Sequence, residues 1–184
     1  MTLQIEATAL RLFEERGFAN VTVEELAAAA GTSVRTFYRY FPSKEDVLQV
    51  RVDQRTETLR RALSVRPSDE PPLRSLRLAL TATYAEEDAA VVRQWITVIA
   101  SSAQLVRGVI GGVQIKVQGV IAEFLANRLR VEPDALAPIV LAAAVGGVVQ
   151  ASMYRWFANG GDLPGTIDEG LAALEEFSST TWTP

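Results

Sequence analysis

Residues 22–42, TVEELAAAAGTSVRTFYRYFP, leave the chain little conformational freedom: they prescribe two short helices joined by a turn of a few residues. Thr22 and Glu25 stand at the S/T-x-x-E spacing of a capping box, in which each side chain satisfies the other's free backbone N–H. The helix they open is stopped at Gly31. Ser33 caps a second helix, and Pro42 stops it at Phe41, because a residue preceding proline is kept out of helical geometry. Ala27, Ala28, Ala29 and Ala30 are small enough for the two helices to approach closely. Val23, Leu26 and Ala30, with Val34, Phe37 and Phe41, supply a shared inner face.

The rest of the chain keeps the same period. Apolar residues recur at helical spacing without any alternating run of β-branched residues, so the expected fold class is all-α with about nine helices. The first covers about residues 3–16, with Ile5, Ala9, Leu12 and Phe13 on one face and Gly17 just past its end. A fourth, opened by Ser43 and Asp46, continues to about Leu63. The stretch RPSDEPP at 66–72 holds three prolines and is the clearest break between two parts of the protein. Further helices are expected near 73–87, 88–107, 113–130, 134–159 and 166–177, the one at 134–159 being about 39 Å long. Residues 1–45 then form a head of three helices, and residues 46–184 a larger bundle reached through the fourth helix. A head of about 45 residues buries little core alone, so the fourth helix should lock it to the rest.

Composition excludes most chemistry. There is no cysteine and no histidine, which removes disulfides, thiolate metal sites, thiol nucleophiles, imidazole bases and every triad built on them. The carboxylates of Glu24-Glu25 and Glu86-Glu87-Asp88 are adjacent on helices and point in different directions, so they read as solvated charge rather than an acid–base pair. No enzyme, metal or cofactor is expected. A net charge of −4 and a pI near 5.0 oppose nonspecific binding to nucleic acid. The distribution says more: residues 1–66 carry 10 basic and 9 acidic side chains, residues 67–184 carry 8 and 13. Between Leu26 and Lys44 there is no acid at all, while Arg35 and Arg39 stand inside that window and Lys44 closes it. The most apolar stretch, 137–153, is interrupted by Pro138, Gly146, Gly147, Gln150 and Ser152, and reads as a buried helix rather than a membrane span. The N-terminus, with Glu6 and Arg11, lacks the layout of an export signal. The expected location is the cytoplasm, away from membranes.

Two helices meeting at a glycine-containing turn form the helix-turn-helix layout, whose second helix enters the major groove of DNA. Thr22 and Ser33 sit at helix N-termini, where free N–H groups suit phosphate oxygens. Arg35, Thr36 and Arg39 fall on the face opposite Phe37 and Phe41. Arginine can fork onto guanine, and the threonine methyl can meet thymine. Tyr38, Tyr40 and Lys44 offer donors for phosphates, with core packing as the competing role for Tyr40.

The pieces Ala9-Leu10-Arg11-Leu12-Phe13 with Gly17-Phe18, Thr22-Val23 through Ala27 with Gly31-Thr32-Ser33, and Thr36-Phe37-Tyr38-Arg39-Tyr40-Phe41-Pro42-Ser43-Lys44-Glu45 resemble, in order and without gaps, the tetracycline-repressor (TetR) family of transcriptional regulators. The resemblance covers about the first 50 residues. It implies a homodimeric DNA-binding protein with backbone contacts from Thr22, Ser33, Tyr38, Tyr40 and Lys44, and base or mixed contacts from Val34, Arg35, Thr36 and Arg39. Two positions depart from the family pattern. Met1-Thr2-Leu3-Gln4, before Ile5, carry no Lys or Arg, so little minor-groove readout is expected, and Glu6 replaces a frequent apolar residue, which should fray the first turn.

In the second part, apolar helices interrupted by glutamines suit a small-molecule pocket with a few polar anchors. Tyr84, Trp95, Ile99, Gln114, Val117, Gln118 and Ile121 are the candidate lining for a small apolar effector. Ala143, Gly147 and Ala151, small and four residues apart, with Leu171 and Leu174 of the last helix, resemble the family's two-fold interface. Two recognition helices about 34 Å apart would match one turn of a palindromic operator, and a ligand that prefers a spread dimer would release it through the fourth helix. Rival readings are an enzyme, a nonspecific architectural DNA binder, and a ligand-binding or interaction module without operator-specific binding. The first lacks the residues, and the second lacks a broad positive surface.

Overall fold

The first helix, α1 (Thr2–Arg16), turns Ile5, Ala9, Leu12 and Phe13 inward and ends where the N–H of Gly17 bonds to the Phe13 carbonyl at 2.9 Å. In this computed structural model, which describes residues 1–179, α1 begins without fraying. Glu6 is completely buried, and its carboxylate meets the Arg51 guanidinium at 3.4 Å. An acid that the local pattern placed at a weak point is thus an ion-pair partner from 45 residues away.

The next two helices match their caps. In α2 (Val23–Ala29) the Glu25 N–H bonds to the Thr22 hydroxyl at 3.2 Å, and the Thr22 N–H bonds to the Glu25 carboxylate at 2.9 Å. Gly31 adopts φ +66, a left-handed conformation that a side chain would strain, and this lets the turn close in two more residues. The helix α3 (Val34–Tyr40) starts under the Ser33 hydroxyl and ends at Phe41 in extended geometry before Pro42.

The fourth helix differs from expectation. The N–H and hydroxyl of Ser43 both donate to the Asp46 carboxylate at 2.8 Å, but residues Glu45–Gln49 wind as a tight 3-10 turn, and the regular helix α4 is Val50–Ser64. The Leu48 carbonyl accepts the buried indole N–H of Trp95 at 2.9 Å, which ties that turn to α6 (Ala89–Ala100). The chain then breaks at Ser102, which is extended, so the helix expected over 88–107 stops early. It resumes as α7 (Ala103–Leu129), whose residues Val106–Ile110 form a π turn.

By packing, the chain divides into two units: Met1–Gln54 with Ala89–Val113, and Arg55–Asp88 with Gln114–Pro184, the last five residues lying outside the described ones. This differs from the division expected at residue 45. The reason is apolar: Trp95, Val98, Ile99, Leu105 and Val109 share one buried cluster with Leu10, Phe13, Leu26, Phe37, Val47 and Val52. Hydrogen bonds from Gln94 to Glu14 (2.6 Å) and from Gln104 to Glu45 (3.1 Å) tie α6 and the start of α7 to the same helices.

The second unit is built from α5 (Pro72–Ala85), the rest of α4 and α7, α8 (Leu136–Asn159) and α9 (Leu163–Ser179), with α9 packed on both α5 and α8. A Cβ at Gly170 would lie 2.5 Å from the Ser152 hydroxyl and 3.1 Å from Val148, so glycine permits the close approach of α9 to α8. Arg77 of α5 pairs with Asp168 (3.3 Å) and Glu175 (3.1 Å) of α9. The proline-rich stretch 66–72 is closed by side-chain contacts. Glu70 pairs with Arg66 and accepts from Ser75 at 2.6 Å, and Arg128 donates to the Arg66 and Glu70 carbonyls. Those contacts, led by Arg66 and then Ser75, hold the Glu70 carboxyl down to about 2.

Candidate nucleic-acid interface

The α2–turn–α3 unit is held from beneath and leaves its outer side to solvent. Phe37 is fully buried, with Phe41 at 5.3 Å between ring centroids, and Leu26 and Ala27 are buried against them. The period of α3 therefore turns the other side outward: Arg35, Tyr38, Arg39 and Tyr40 are exposed, and Val34 and Thr36 half-exposed. Tyr38 stands edge-on to Phe37 at 5.7 Å and is exposed. Tyr40 is 40% exposed, so it is not a core residue.

Both caps are occupied within their own helices. The Thr22 hydroxyl accepts from the Glu25 N–H, and the N–H of Thr22, then its hydroxyl, then Arg16 at 3.2 Å, hold the Glu25 carboxyl below its ordinary value. That keeps the capping carboxylate ionised. Ser33 accepts from the Thr36 N–H at 3.1 Å, and the two hydroxyls lie 3.0 Å apart.

Lys44 is placed differently from a surface clamp. Its ammonium donates to the Phe18 carbonyl at 2.7 Å and to the Val21 carbonyl at 2.9 Å, and lies 4.2 Å from the centre of the Phe18 ring. Two of its three donors therefore close the turn between α1 and α2. The sequence held no signal for this, since the partners are 26 and 23 residues away.

The candidate ligand residues fall in different surroundings. Trp95 and Ile99 are packing residues in the core of the first unit. In the second unit Val117, Ile121 and Tyr84 are buried, Gln118 is half-buried against Gly146, and Gln114 is exposed with a 3.3 Å bond to Gln150. Tyr84 donates to the Met153 sulfur at 3.6 Å, and its ring lies 4.8 Å from the Arg55 guanidinium. Arg55, unanticipated from the sequence, is buried and paired with Glu87 at 2.7 Å. Burial alone would lower its pKa, but Tyr84 and Glu87 outweigh that and raise it, so the buried guanidinium stays charged.

Ala143, Gly147 and Ala151 are exposed on one stripe of α8, together with Leu136, Val140 and Tyr154, which the sequence reading had not singled out although they share the three-and-four spacing. Leu171 is instead buried inside its own chain and Leu174 half-buried. The expectation that 137–153 is a buried helix holds for one face, with Ala142, Val145 and Val149 buried; α7 and α8 are long and apolar enough to cross a membrane by length and composition, with 28% of each apolar window buried in the single chain.

Comparison with known proteins gives these features a context. The family model for bacterial regulatory proteins of the tetR family matches residues 5–50, and that for the MftR C-terminal domain matches residues 70–178. The regulator EthR of Mycolicibacterium smegmatis is 31% identical over 176 residues, spanning 92% of this chain and 79% of that one. TcmR of Streptomyces glaucescens is 39% identical over 79 residues, which is 43% of this chain but only 35% of that protein. Among solved structures, the TetR-family repressor FadR of Thermus thermophilus, in complex with lauroyl-CoA, aligns at 26% identity and TM-score 0.60 over 100% of this chain and 98% of its own. A TetR-family regulator from Syntrophomonas wolfei shares the fold at TM-score 0.74, with 16% identity. With a C-terminal family model across more than half its length and an N-terminal one over the capped helix pair, the chain belongs to the tetR family of helix-turn-helix transcriptional regulators, which act on DNA and are not enzymes.

Proposed function

We propose that two copies of this chain read a palindromic operator as a repressor and release it when an acyl-chain effector binds the second unit. The observation that carries the DNA reading is the outward side of α3: Arg35, Thr36, Tyr38, Arg39 and Tyr40 stand together on a helix fixed by Phe37 and Phe41, in a stretch without any acid. Arg35 and Arg39 serve bases or phosphates, Val34 and Thr36 line the groove, and Tyr38 and Tyr40 meet the backbone. Thr22 and Ser33 contribute through the helix N-termini that they cap. Lys44 contributes by holding the turn beneath them.

Pairing runs through the exposed stripe of α8. Small residues at 143, 147 and 151 allow close contact of two helices, and Leu136 and Val140 supply apolar area that a single chain leaves in water. The two-fold pair sets the recognition helices at the spacing of one DNA turn. The effector class is supported by the lauroyl-CoA complex of the Thermus thermophilus relative and by the burial of the apolar side chains of Val117 and Ile121, with Tyr84 and Gln118 as polar anchors. A protein of this kind works in the cytoplasm.

The test is selection of bound duplexes from a random pool with the full-length protein, followed by fluorescence anisotropy of the enriched duplex with and without lauroyl-CoA. Enrichment of an inverted repeat, and its release by the acyl compound, is the expected result. Retention of random and enriched duplexes with equal affinity would make it a nonspecific DNA binder, and failure to retain either would leave only the ligand-binding or interaction module, the second reading, which the acidic total of the chain favours.

A further inference from the structure

Arg39 and Tyr40 are neighbours in sequence, and consecutive residues on a helix diverge rather than face each other. Here they are joined all the same. The Arg39 Nη2 donates to the Tyr40 hydroxyl at 3.1 Å, and the guanidinium carbon lies 4.8 Å from the centre of the Tyr40 ring. The Tyr40 ring in turn leans on buried Phe41 (centroids 6.4 Å apart, tilted by 50°), and Phe41 packs on fully buried Phe37. A continuous aromatic path therefore runs from the core of the first unit to the charged end of an exposed arginine.

We propose that Tyr40 is a positioning residue for Arg39, holding its guanidinium in one orientation before DNA arrives, and that this pair sets part of the sequence preference of the protein. The inference rests on the DNA-reading function proposed above. A free arginine on a helix surface samples many rotamers and loses them on binding. Stacking on a ring and one hydrogen bond to a neutral phenol restrict those rotamers while leaving four of the five N–H donors free for the forked contact with guanine or phosphate. A carboxylate would orient the arginine as well, but would neutralise it and repel the duplex. The nearest acids in sequence are Glu45 and Asp46 after it and Glu25 before it, which are engaged with Gln104, with Ser43, and with Thr22 and Arg16. Tyrosine thus orders the arginine at no cost in charge. Tyr38 makes an instructive contrast: its ring also leans on Phe37, but its hydroxyl has no arginine on it among the contacts of the described residues, which leaves that group to the backbone of the DNA.

The test is a double-mutant cycle on full-length protein, using the inverted-repeat duplex that the wild type selects from a random pool. The variants are Arg39→Ala, Tyr40→Leu, Tyr40→Phe, and each tyrosine change combined with Arg39→Ala. Tyr40→Leu removes ring and hydroxyl, and should weaken binding about fivefold per half-site, the order of the rotamer freedom one arginine loses on binding. Tyr40→Phe keeps the ring and should lose less. In the Arg39→Ala background both should cost clearly less, since only the backbone contact of Tyr40 is left to lose. Thermal midpoints should be unchanged throughout. If Tyr40→Leu costs the same factor with and without Arg39, Tyr40 acts through the fold or through its own phosphate contact, and the inference is overturned. It is overturned equally if Arg39→Ala binds as the wild type does. Failure of the wild type to enrich any duplex would instead remove the DNA-reading function itself, and this inference with it.

Discussion

Lys44 separates two physical pictures of the same residue. As a clamp on DNA its ammonium would point to a phosphate. In the structure it bonds to the Phe18 and Val21 carbonyls at 2.7 and 2.9 Å and rests on the Phe18 ring. Replacing it by glutamine removes two charge-assisted hydrogen bonds and a cation–π contact. Each bond to a charged donor contributes about 1.5 kcal/mol at the low end, fitting for a half-buried group that water can partly replace. With roughly 0.5 kcal/mol from the ring, the loss is about 3.5 kcal/mol, which for a chain of this length lowers the thermal midpoint by about 7–14 °C.

The assay needs both stability and salt dependence. Differential scanning calorimetry of Lys44→Gln gives the first. The slope of log affinity against log salt, measured on the selected duplex, gives the second. Each phosphate neutralised adds about 0.9 to that slope, so two clamps per dimer would account for about 1.8. A residue whose main work is internal leaves the slope near the wild-type value even where overall affinity falls. The reasoning is refuted by the opposite pattern: an unchanged midpoint with a slope lowered by about 1.8.

Glu70, held down to about 2 by Arg66 and Ser75, contributes stability that is fully present above the ordinary carboxylate value and is lost as pH falls through that value towards 2. Glu70→Gln should therefore be destabilised at pH 7 and show a flatter loss of thermal midpoint between about pH 5 and 2 than the wild type. Gly170→Ala, which in an open helix would stabilise by about 1 kcal/mol, should instead destabilise by about 1–2 kcal/mol because of the 2.5 Å approach to Ser152, and Ser152→Ala should restore part of it in chemical denaturation. Gly147→Arg meets open space within its own chain, so circular dichroism should be unchanged, while sedimentation velocity should show a dimer becoming a monomer. A dimer that survives this change moves the interface off α8.

What could be read from the sequence was the chemistry that acts over three or four residues. The capping box at Thr22, the Ser33 cap, the stop before Pro42 and the left-handed Gly31 all depend on neighbours, and α2 and α3 fall within a residue or two of where those signals put them. Contacts across long separations left no local trace. Glu6 looked like a flaw in α1 because its partner, Arg51, is 45 residues away, and Arg55 gave no sign of its pairing with Glu87, 32 residues on. The proline-rich loop at 66–72 carries the composition of a linker, yet Arg66, Glu70, Ser75 and Arg128 bind it into one unit. Proline reports where a helix cannot continue; it does not report which side of the break belongs to which core.

The two apolar helices α6 and α8 show why hydropathy alone could not assign candidate site residues. Both have faces rich in valine, isoleucine and alanine, and from the sequence both suited a core. Their outcomes differ because of the polar groups they carry. In α6, the Gln94 amide and the Trp95 indole N–H find a carboxylate and a carbonyl on the N-terminal helices, fixing the helix so that Val92, Val98 and Ile99 are buried there. The middle of α8 holds Gly146, Gly147 and a run of alanines, the amide of Gln150 donates to Tyr154 of the same helix, and the stripe stays in solvent. Burial supplies most of the free energy in both cases, but it is non-directional. A hydrogen bond that must not be left unmade decides where an apolar face is placed. That is why Trp95, proposed from its size and apolarity as part of a pocket, is instead held in the core beneath the DNA-reading helices.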